Sequence, residues 1–251
     1  MTSTPRRLVA ALACRNNGSR LYGKPLQKLI GETTILDQIV NAIRRFPVIE
    51  QIVLGISEGS ANVAFVDFAH ERDVSYVFGD PQDVLHRLVL CGRLGRASDV
   101  FRITTECPWF DYDLLMPAWQ RHVANNNDIT VCDRLPEGLH FEIYRLEALE
   151  RSHEHGTAMD RSEFCSSYAR THPDEFKIEV LLPPLELQRM DLRVTVDNPE
   201  DLILCREIAK ACNNSMPLVS VCEIAAFLDM RLDLKALVAP FVVPEPLWNV
   251  L

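Results

Sequence analysis

The chain lacks several features that would each announce a class. Its 251 residues include only 10 Gly, too few for a collagen-like or low-complexity chain, and no internal repeat marks a solenoid or propeller. No window approaches the 18 apolar residues that a membrane helix needs. The eight cysteines form no Cys-x-x-Cys pair and mostly sit in apolar runs, as small hydrophobes do in a reducing compartment. Free thiols and a cytoplasmic location are therefore expected. Excess positive charge is missing too: a formal charge of −9 and a pI near 5.3 speak against a surface that grips nucleic acid or anionic membrane over its whole extent.

One segment reverses that balance. Residues 1 to 31 carry six basic side chains (Arg6, Arg7, Arg15, Arg20, Lys24 and Lys28) and no Asp or Glu, so this end of the chain prefers an anion. The opening MTSTPRRLVAALAC imitates a secretion signal. Its apolar run from Leu8 to Cys14 is at the lower limit of length, however, and the residues after Cys14 continue as one motif rather than forming a cleavage site.

Apolar β-rich runs alternate with longer helix-periodic runs, the pattern of an α/β layered sheet. Strands are expected at Leu8 to Ala13, Gln51 to Ser57, Val74 to Phe78, Val100 to Thr104, Ile129 to Cys132 and Arg193 to Val196. Helices are expected over Thr34 to Arg45, Ala61 to Arg72, Gln82 to Arg96 and Leu114 to Ala124, the third starting from Asp80 or Pro81. In the first, Ile35, Leu36, Ile39, Val40 and Ile43 share one face. Asn198-Pro199-Glu200-Asp201 opens a further helix, with Asn198 as cap and Pro199 at the first helical position. Residues 1–251 read as one domain. Within it, 135–185 reads as an irregular insertion, an acceptor-site lid or a dimer arm, and 231–251 as an extended apolar tail lying on its own domain or on a partner subunit.

The strongest chemical signal directly follows the first strand: Ala13-Cys14-Arg15-Asn16-Asn17-Gly18-Ser19-Arg20-Leu21-Tyr22-Gly23-Lys24-Pro25-Leu26. A loop rich in Gly, Ser and Asn at a strand's carboxyl end exposes backbone N–H groups, and Arg15, Arg20 and Lys24 add three cations, which suits a polyphosphate. It is neither a P-loop, which needs Gly-Lys-Ser/Thr after its first Gly, nor the dinucleotide fingerprint Gly-x-Gly-x-x-Gly. A solvated basic loop is the alternative. Elsewhere, Asp111-Tyr112-Asp113 looks like the Asp-x-Asp metal motif of glycosyltransferases, yet Asp111 also stands where a helix cap is needed.

In spacing, Arg15, Arg20, Leu21, Gly23, Lys24, Pro25 and Leu26 resemble the opening motif of the cytidylyltransferases related to CMP-Kdo synthetase and CMP-sialic acid synthetase, in particular the branch of spore coat polysaccharide biosynthesis. The resemblance continues through Gly79-Asp80-Pro81-Gln82-Asp83-Val84-Leu85-His86-Arg87 and Arg102-Ile103-Thr104-Thr105-Glu106-Cys107-Pro108. It then runs through Pro136-Glu137-Gly138-Leu139-His140-Phe141-Glu142 and closes with Leu192-Arg193-Val194-Thr195-Val196-Asp197-Asn198-Pro199-Glu200-Asp201-Leu202. It implies a single Rossmann-like three-layer domain of the nucleotide-diphospho-sugar transferase type, commonly a homodimer.

The chemistry implied is attack by an acceptor oxygen on the α-phosphorus of a nucleoside triphosphate, usually CTP, with loss of pyrophosphate and Mg²⁺ or Mn²⁺ as cofactor. The acceptor would be a small anion: a sugar acid, a sugar phosphate or a phosphonate-like compound. By position, Arg15 and Lys24 would be catalytic, and Ala13, Arg15, Gly18, Ser19, Arg20, Lys24, Gly79 and Asp80 would bind the nucleotide. Glu106 and Asp197 would hold the metal, with capping of the following helix an alternative role for Asp197. Arg102, His140 and Glu142 would face the acceptor. Arg87 could meet phosphate or base, or form a helix-face salt bridge; for Arg102 the alternative is a buried pair. Four departures stand out: Thr105-Glu106 in place of Gly-Asp, His140 in place of Asp, Phe164 near a usual Arg-Glu-His run, and Tyr22 in place of Pro. They leave open a changed acceptor, a catalytically weak nucleotide-binding scaffold, or, through Asp111 and Asp113, a nucleotide-sugar-dependent glycosyltransferase.

Overall fold

The computed structural model describes residues 6–16, 20–162 and 165–248. The opening strand β1 (Leu8–Cys14) is apolar throughout, because it is covered on both faces. Leu8, Ala10 and Leu12 enter one core, while Val9 and Ala11 enter the other. A short hairpin follows, β2 (Lys28–Ile30) and β3 (Thr33–Thr34), and leads into α1 (Ile35–Ile43). Thr34 caps α1 by accepting from the Asp37 N–H at 3.0 Å, and the five apolar residues expected to share one face are all buried.

The chain then alternates: β4 (Ile49–Ser57), α2 (Val63–Glu71), β5 (Ser75–Gly79), α3 (Val84–Leu94), β6 (Asp99–Arg102), α4 (Tyr112–Ala124) and β7 (Ile129–Cys132). The third helix starts at Asp83 rather than at Asp80 or Pro81, because the Asp83 carboxylate accepts the N–H of His86 at 2.8 Å, whereas Asp80 closes a turn onto the N–H of Gln82.

The segment 135–185 is more regular than expected. It holds β8 (Glu142–Arg145), α5 (Leu146–His155), α6 (Ser167–Thr171) and β9 (Ile178–Leu181), and both strands join the main sheet. Conversely, Arg193 to Val196 is not a ladder strand. Its backbone bonds serve loops: the Val194 N–H donates to Glu137 and the Val196 N–H to Glu106, leaving one isolated bridge between Glu137 and Arg193. The chain continues through α7 (Pro199–Ala211), α8 (Val221–Met230) and α9 (Leu232–Val238). Helix α7 starts on Asn198 and Pro199 as expected, with the Asp201 carboxylate accepting the Asn198 N–H at 2.8 Å. The tail expected to be extended over 231–251 thus begins with a helix and a short helical turn, and of its described residues only 242–248 are irregular.

Seven strands form one sheet in the order β5-β4-β1-β6-β8-β7-β9, parallel except for β8. The chain leaves β1 toward one edge through β4 and β5, then returns to the other side of β1 with β6. That reversal opens a crevice at the carboxyl ends of β1 and β6, the position where open α/β sheets bind ligands. Helices α1, α2, α4, α7 and α8 cover one face, while α3, α5 and α6 cover the other. None of the helices among the described residues is long and apolar enough to cross a membrane, and all eight cysteines are free.

At the foot of the sheet, fully buried Asp99 pairs with Arg6 and lies 3.0 Å from His122, whose other ring nitrogen meets Thr130. Burial works to raise the Asp99 pKa, but the His122, Arg6 and Ser98 contacts outweigh it and hold the carboxyl below its ordinary value. The stability this supplies is present above about pH 4 and disappears as the pH falls through the lowered value. Asp99→Asn should therefore lose about 1–3 kcal/mol at pH 7 in denaturant melts, and the difference from wild type should close at acid pH.

Candidate functional site

A cleft of about 540 Å³ lies at the crevice between β1 and β6. It gathers Ala13, Arg15, Arg20, Lys24, Arg102, Glu106, His140, Glu142 and Asp197, residues that the sequence spreads over more than 180 positions. Gly79 and Asp80 are not among the residues that line it. Gly18 and Ser19, with Phe164, lie outside the described residues.

The cationic loop is fixed at both ends. Asn16 donates its side-chain amide to the Ala61 carbonyl at 2.5 Å, and its backbone N–H to Asn62 at 2.7 Å. Gly23 adopts a φ of 62°, a left-handed conformation that turns the chain into the short helical turn Lys24–Leu26 and points Lys24 inward. Lys24 Nζ then meets Asp197 Oδ1 at 2.6 Å, and Arg20 lies 3.8 Å from the same oxygen.

Asp197 is held from below. Arg193, almost completely buried, contacts Asp197 at 2.7 Å, Asp201 at 2.9 Å and Glu137 at 2.5 Å. Burial pushes the Asp197 carboxyl up, but Lys24 and Arg193 more than offset it and keep the group ionised below its ordinary range. The helix-capping alternative for Asp197 is not what the structure shows, since the N-cap of α7 is Asn198, paired with Asp201 in a capping box. Glu106 behaves differently: burial raises its pKa, with Asp197 adding to the rise while Lys24 and Arg102 oppose it. Two carboxylates from separate segments thus share one cleft with a lysine. Hard oxygen donors of this kind fit a Mg²⁺-class cation.

Thr105, which stands in place of a flexible glycine, donates its hydroxyl to the Ala13 carbonyl at 2.8 Å and is buried. This departure bolts the end of β6 to the end of β1. Gly138 lies in the same cleft at a φ of +99°, and a Cβ there would sit 2.5 Å from the Thr195 backbone nitrogen. The loop carrying His140 therefore packs directly on the segment carrying Asp197.

On the β8 side, Arg102 and Glu142 form an ion pair with both side chains largely buried. The buried-pair alternative for Arg102 holds, and the pair still borders the cleft. His140 lies 3.9 Å from Asp133, and burial lowers its pKa, favouring the neutral ring. Arg87 is buried and donates to the carbonyls of Cys14 and Gly55, both at 3.0 Å. It joins adjacent strands rather than forming a helix-face salt bridge. Gly79 serves this arginine, because a Cβ there would sit 2.6 Å from Arg87 Cγ. Cys107 and Cys132 also border the cleft, but burial pushes the first up to about 12 and the second well above its ordinary value, so neither is a thiolate nucleophile at neutral pH.

Sequence reasoning gave no role to Arg193, Asn16 or Trp248, and did not single out Arg170. The spacing of Arg193, Asp197 and Asp201 by four was the available signal for Arg193, although the chain there is not helical. Arg170 and Trp248 also reach the cleft. The Trp248 N–H donates to Asp133 at 2.8 Å and the Leu247 N–H at 3.1 Å, and nothing in the residue pattern pairs positions so far apart.

Asp111 caps α4, accepting the N–H groups of Asp113 at 3.2 Å and Leu114 at 3.3 Å. It is buried, and Asp111 and Asp113 do not line the cleft.

The fold is shared with solved cytidylyltransferases. A cytidylyltransferase from Leptospira borgpetersenii superposes with a TM-score of 0.79 at 20% identity, over 92% of this chain and 97% of that one. A CMP-Kdo synthetase solved with CTP gives a TM-score of 0.61 at 12% identity, over 82% and 99%. In sequence, the chain is 24% identical over 229 residues to an uncharacterised protein of Methanocaldococcus jannaschii, covering 91% of this chain and 93% of that one. It is likewise 24% identical over 235 residues to the spore coat polysaccharide biosynthesis protein SpsF of Bacillus subtilis, covering 88% and 94%. No family model matches. The resemblance to cytidylyltransferases read from the motifs, and the fold it implied, are borne out.

Gly138→Ala tests how closely the two cleft segments must pack. The methyl would meet backbone rather than a movable side chain, so the variant should be destabilised by about 2–4 kcal/mol in thermal or denaturant melts. Gly31→Ala, also at positive φ but with no atom within 4 Å of the new methyl, should lose much less.

Proposed function

We propose that this protein is a nucleotidyltransferase, and specifically a CTP-dependent enzyme that transfers CMP to a small anionic acceptor with release of pyrophosphate. The observation that carries the reading is the meeting of Lys24 and Asp197 at the carboxyl end of β1, with Arg15, Arg20 and Glu106 in the same cleft. A triphosphate needs several cations close together at a strand end, and the loop after β1 supplies them. The oxygen-donor pair Glu106 and Asp197 fits Mg²⁺ or Mn²⁺, which would supply neutralisation of phosphate charge when bound. Lys24 and Arg15 bind and orient the phosphates, and Lys24 offsets charge on the departing pyrophosphate. The acceptor oxygen forms its bond to the α-phosphorus as the bond to the pyrophosphate oxygen breaks. Such a displacement depends on positioning and electrostatics rather than on a covalent nucleophile.

The acceptor half supports an anionic second substrate of the sugar acid, sugar phosphate or phosphonate class. His140 and Arg170 border that half beside the Arg102–Glu142 pair. Products of that type feed surface glycan or specialised metabolite assembly, as the relative from Bacillus subtilis is named for spore coat polysaccharide biosynthesis.

Pyrophosphate release should be measured with each common nucleoside triphosphate, Mg²⁺ or Mn²⁺, and a panel of such acceptors. Turnover is expected with CTP, and Lys24→Ala or Asp197→Ala should each lower it by about a hundredfold or more. Absence of both turnover and calorimetric nucleotide binding would overturn the reading in favour of a scaffold.

Asp111→Asn separates this reading from a glycosyltransferase built on Asp111 and Asp113. Burial raises the Asp111 pKa to about 6, so the folded protein favours the neutral carboxyl. Its contribution is fully present below about pH 4 and is lost as the pH rises through about 6. The asparagine keeps the capping acceptor without the charge. It should leave turnover unchanged and raise the melting temperature at pH 7–8, by an amount worth about 1–2 kcal/mol that vanishes near pH 4. Glycosyl transfer from a nucleotide sugar by the wild-type chain, abolished in Asp111→Asn, would favour the glycosyltransferase.

A further inference from the structure

A second group of ligand-type side chains lies outside the cleft. Asp83, His86 and His153 each present one donor atom, and the three donors all lie within 4.8 Å of one another. None of them lines the cleft. They come from two elements: Asp83 and His86 from the first turn of α3, and His153 from the last turn of α5.

We propose that Asp83, His86 and His153 form a binding site for one zinc-class divalent ion that ties α3 to α5. The geometry is already organised. Asp83 uses Oδ1 to accept the His86 N–H at 2.8 Å, which fixes the carboxylate and leaves Oδ2 facing His153 Nε2 at 2.7 Å. The two imidazole rings are stacked, 5.0 Å between centroids and 26° from parallel. The backbone around them is held as well: the Arg161 side chain donates to the His153 carbonyl at 3.0 Å, and the Leu85 N–H donates to the Arg161 carbonyl at 3.1 Å.

Two imidazole nitrogens and one carboxylate oxygen suit Zn²⁺ and its neighbours far better than Mg²⁺ or Ca²⁺, which prefer all-oxygen shells. Three protein ligands leave a fourth tetrahedral position for water. The Asp83 and His153 side chains are only 21% and 23% exposed, which gives an ion access from solvent while keeping the donors partly desolvated. In the ion-free form the Asp83–His153 hydrogen bond holds the donors together, so little reorganisation is required. The ion would bind α3, which carries Arg87 and Leu88 to the cleft, to the end of α5.

The test is calorimetric titration of the full chain with Zn²⁺, using Mg²⁺ and Ca²⁺ as controls, together with the visible absorption of the Co²⁺ form. One equivalent of Zn²⁺ should bind, Co²⁺ should show the intense bands of tetrahedral coordination, and thermal stability should rise with added Zn²⁺. His86→Gln and His153→Gln should each weaken binding about 10- to 100-fold or more, while Asp197→Ala should leave it unchanged. If a histidine variant fails to fold, Asp83→Asn, which keeps the helix-capping acceptor, should still weaken binding at least about tenfold. Absence of stoichiometric Zn²⁺ binding by the wild-type chain, or unchanged affinity in the folded variants, would overturn the proposal. These outcomes do not depend on nucleotide transfer.

Discussion

The cleft depends on one buried guanidinium. Arg193 reaches three carboxylates, Glu137, Asp197 and Asp201, from three places: the loop before β8, the segment before α7 and the first turn of α7. Burial works to lower the Arg193 pKa, but the surrounding carboxylates more than compensate and raise it. Removing Arg193 would leave the buried Asp201 carboxylate without its cation, a loss of about 3–5 kcal/mol. It would also release Asp197 Oδ2, since Lys24 holds Oδ1. The acidic centre of the cleft is thus built from inside the protein, and the cationic loop closes over it from outside.

The cleft brings its charges together by backbone approach as much as by ion pairing. The Val196 N–H donates to the Glu106 carbonyl at 3.0 Å and the Val194 N–H to Glu137 at 2.7 Å, so the segment with Asp197 is laced to both neighbouring loops. Thr105 adds the bond to Ala13. The two acids therefore sit on a framework whose spacing does not rely on flexible side chains.

Much of this was legible in the residues. β1 reads as a continuous apolar run because both of its faces are buried, and α1 reads as amphipathic because Ile35, Leu36, Ile39, Val40 and Ile43 repeat at helical spacing. β8 and β9 were not legible, because EIYR and IEVL are four residues long and mix charge with apolar side chains. Their placement comes from the neighbouring strands. Arg193 to Val196 looks like a strand for the opposite reason: its alternation is real, but its hydrogen bonds go to loops. Among the site residues, the cations of the first loop stood out because no acid interrupts them. Arg87 and Arg102 both border the cleft, but Arg87 satisfies strand carbonyls whereas Arg102 pairs with Glu142, and residue type carries no information about which partner each finds.

The contact of Leu247 and Trp248 with Asp133 has a further consequence. Asp133 accepts two backbone N–H groups from this distant stretch while standing beside His140. Residues 242–248 carry no strand or helix, yet Trp248 forms part of the cleft wall. Trp248 therefore ties the cleft wall to the core: it packs into the same buried cluster as Val84 and Leu88 of α3, so a change of its side chain would alter the room available to a ligand and the packing under α3 together.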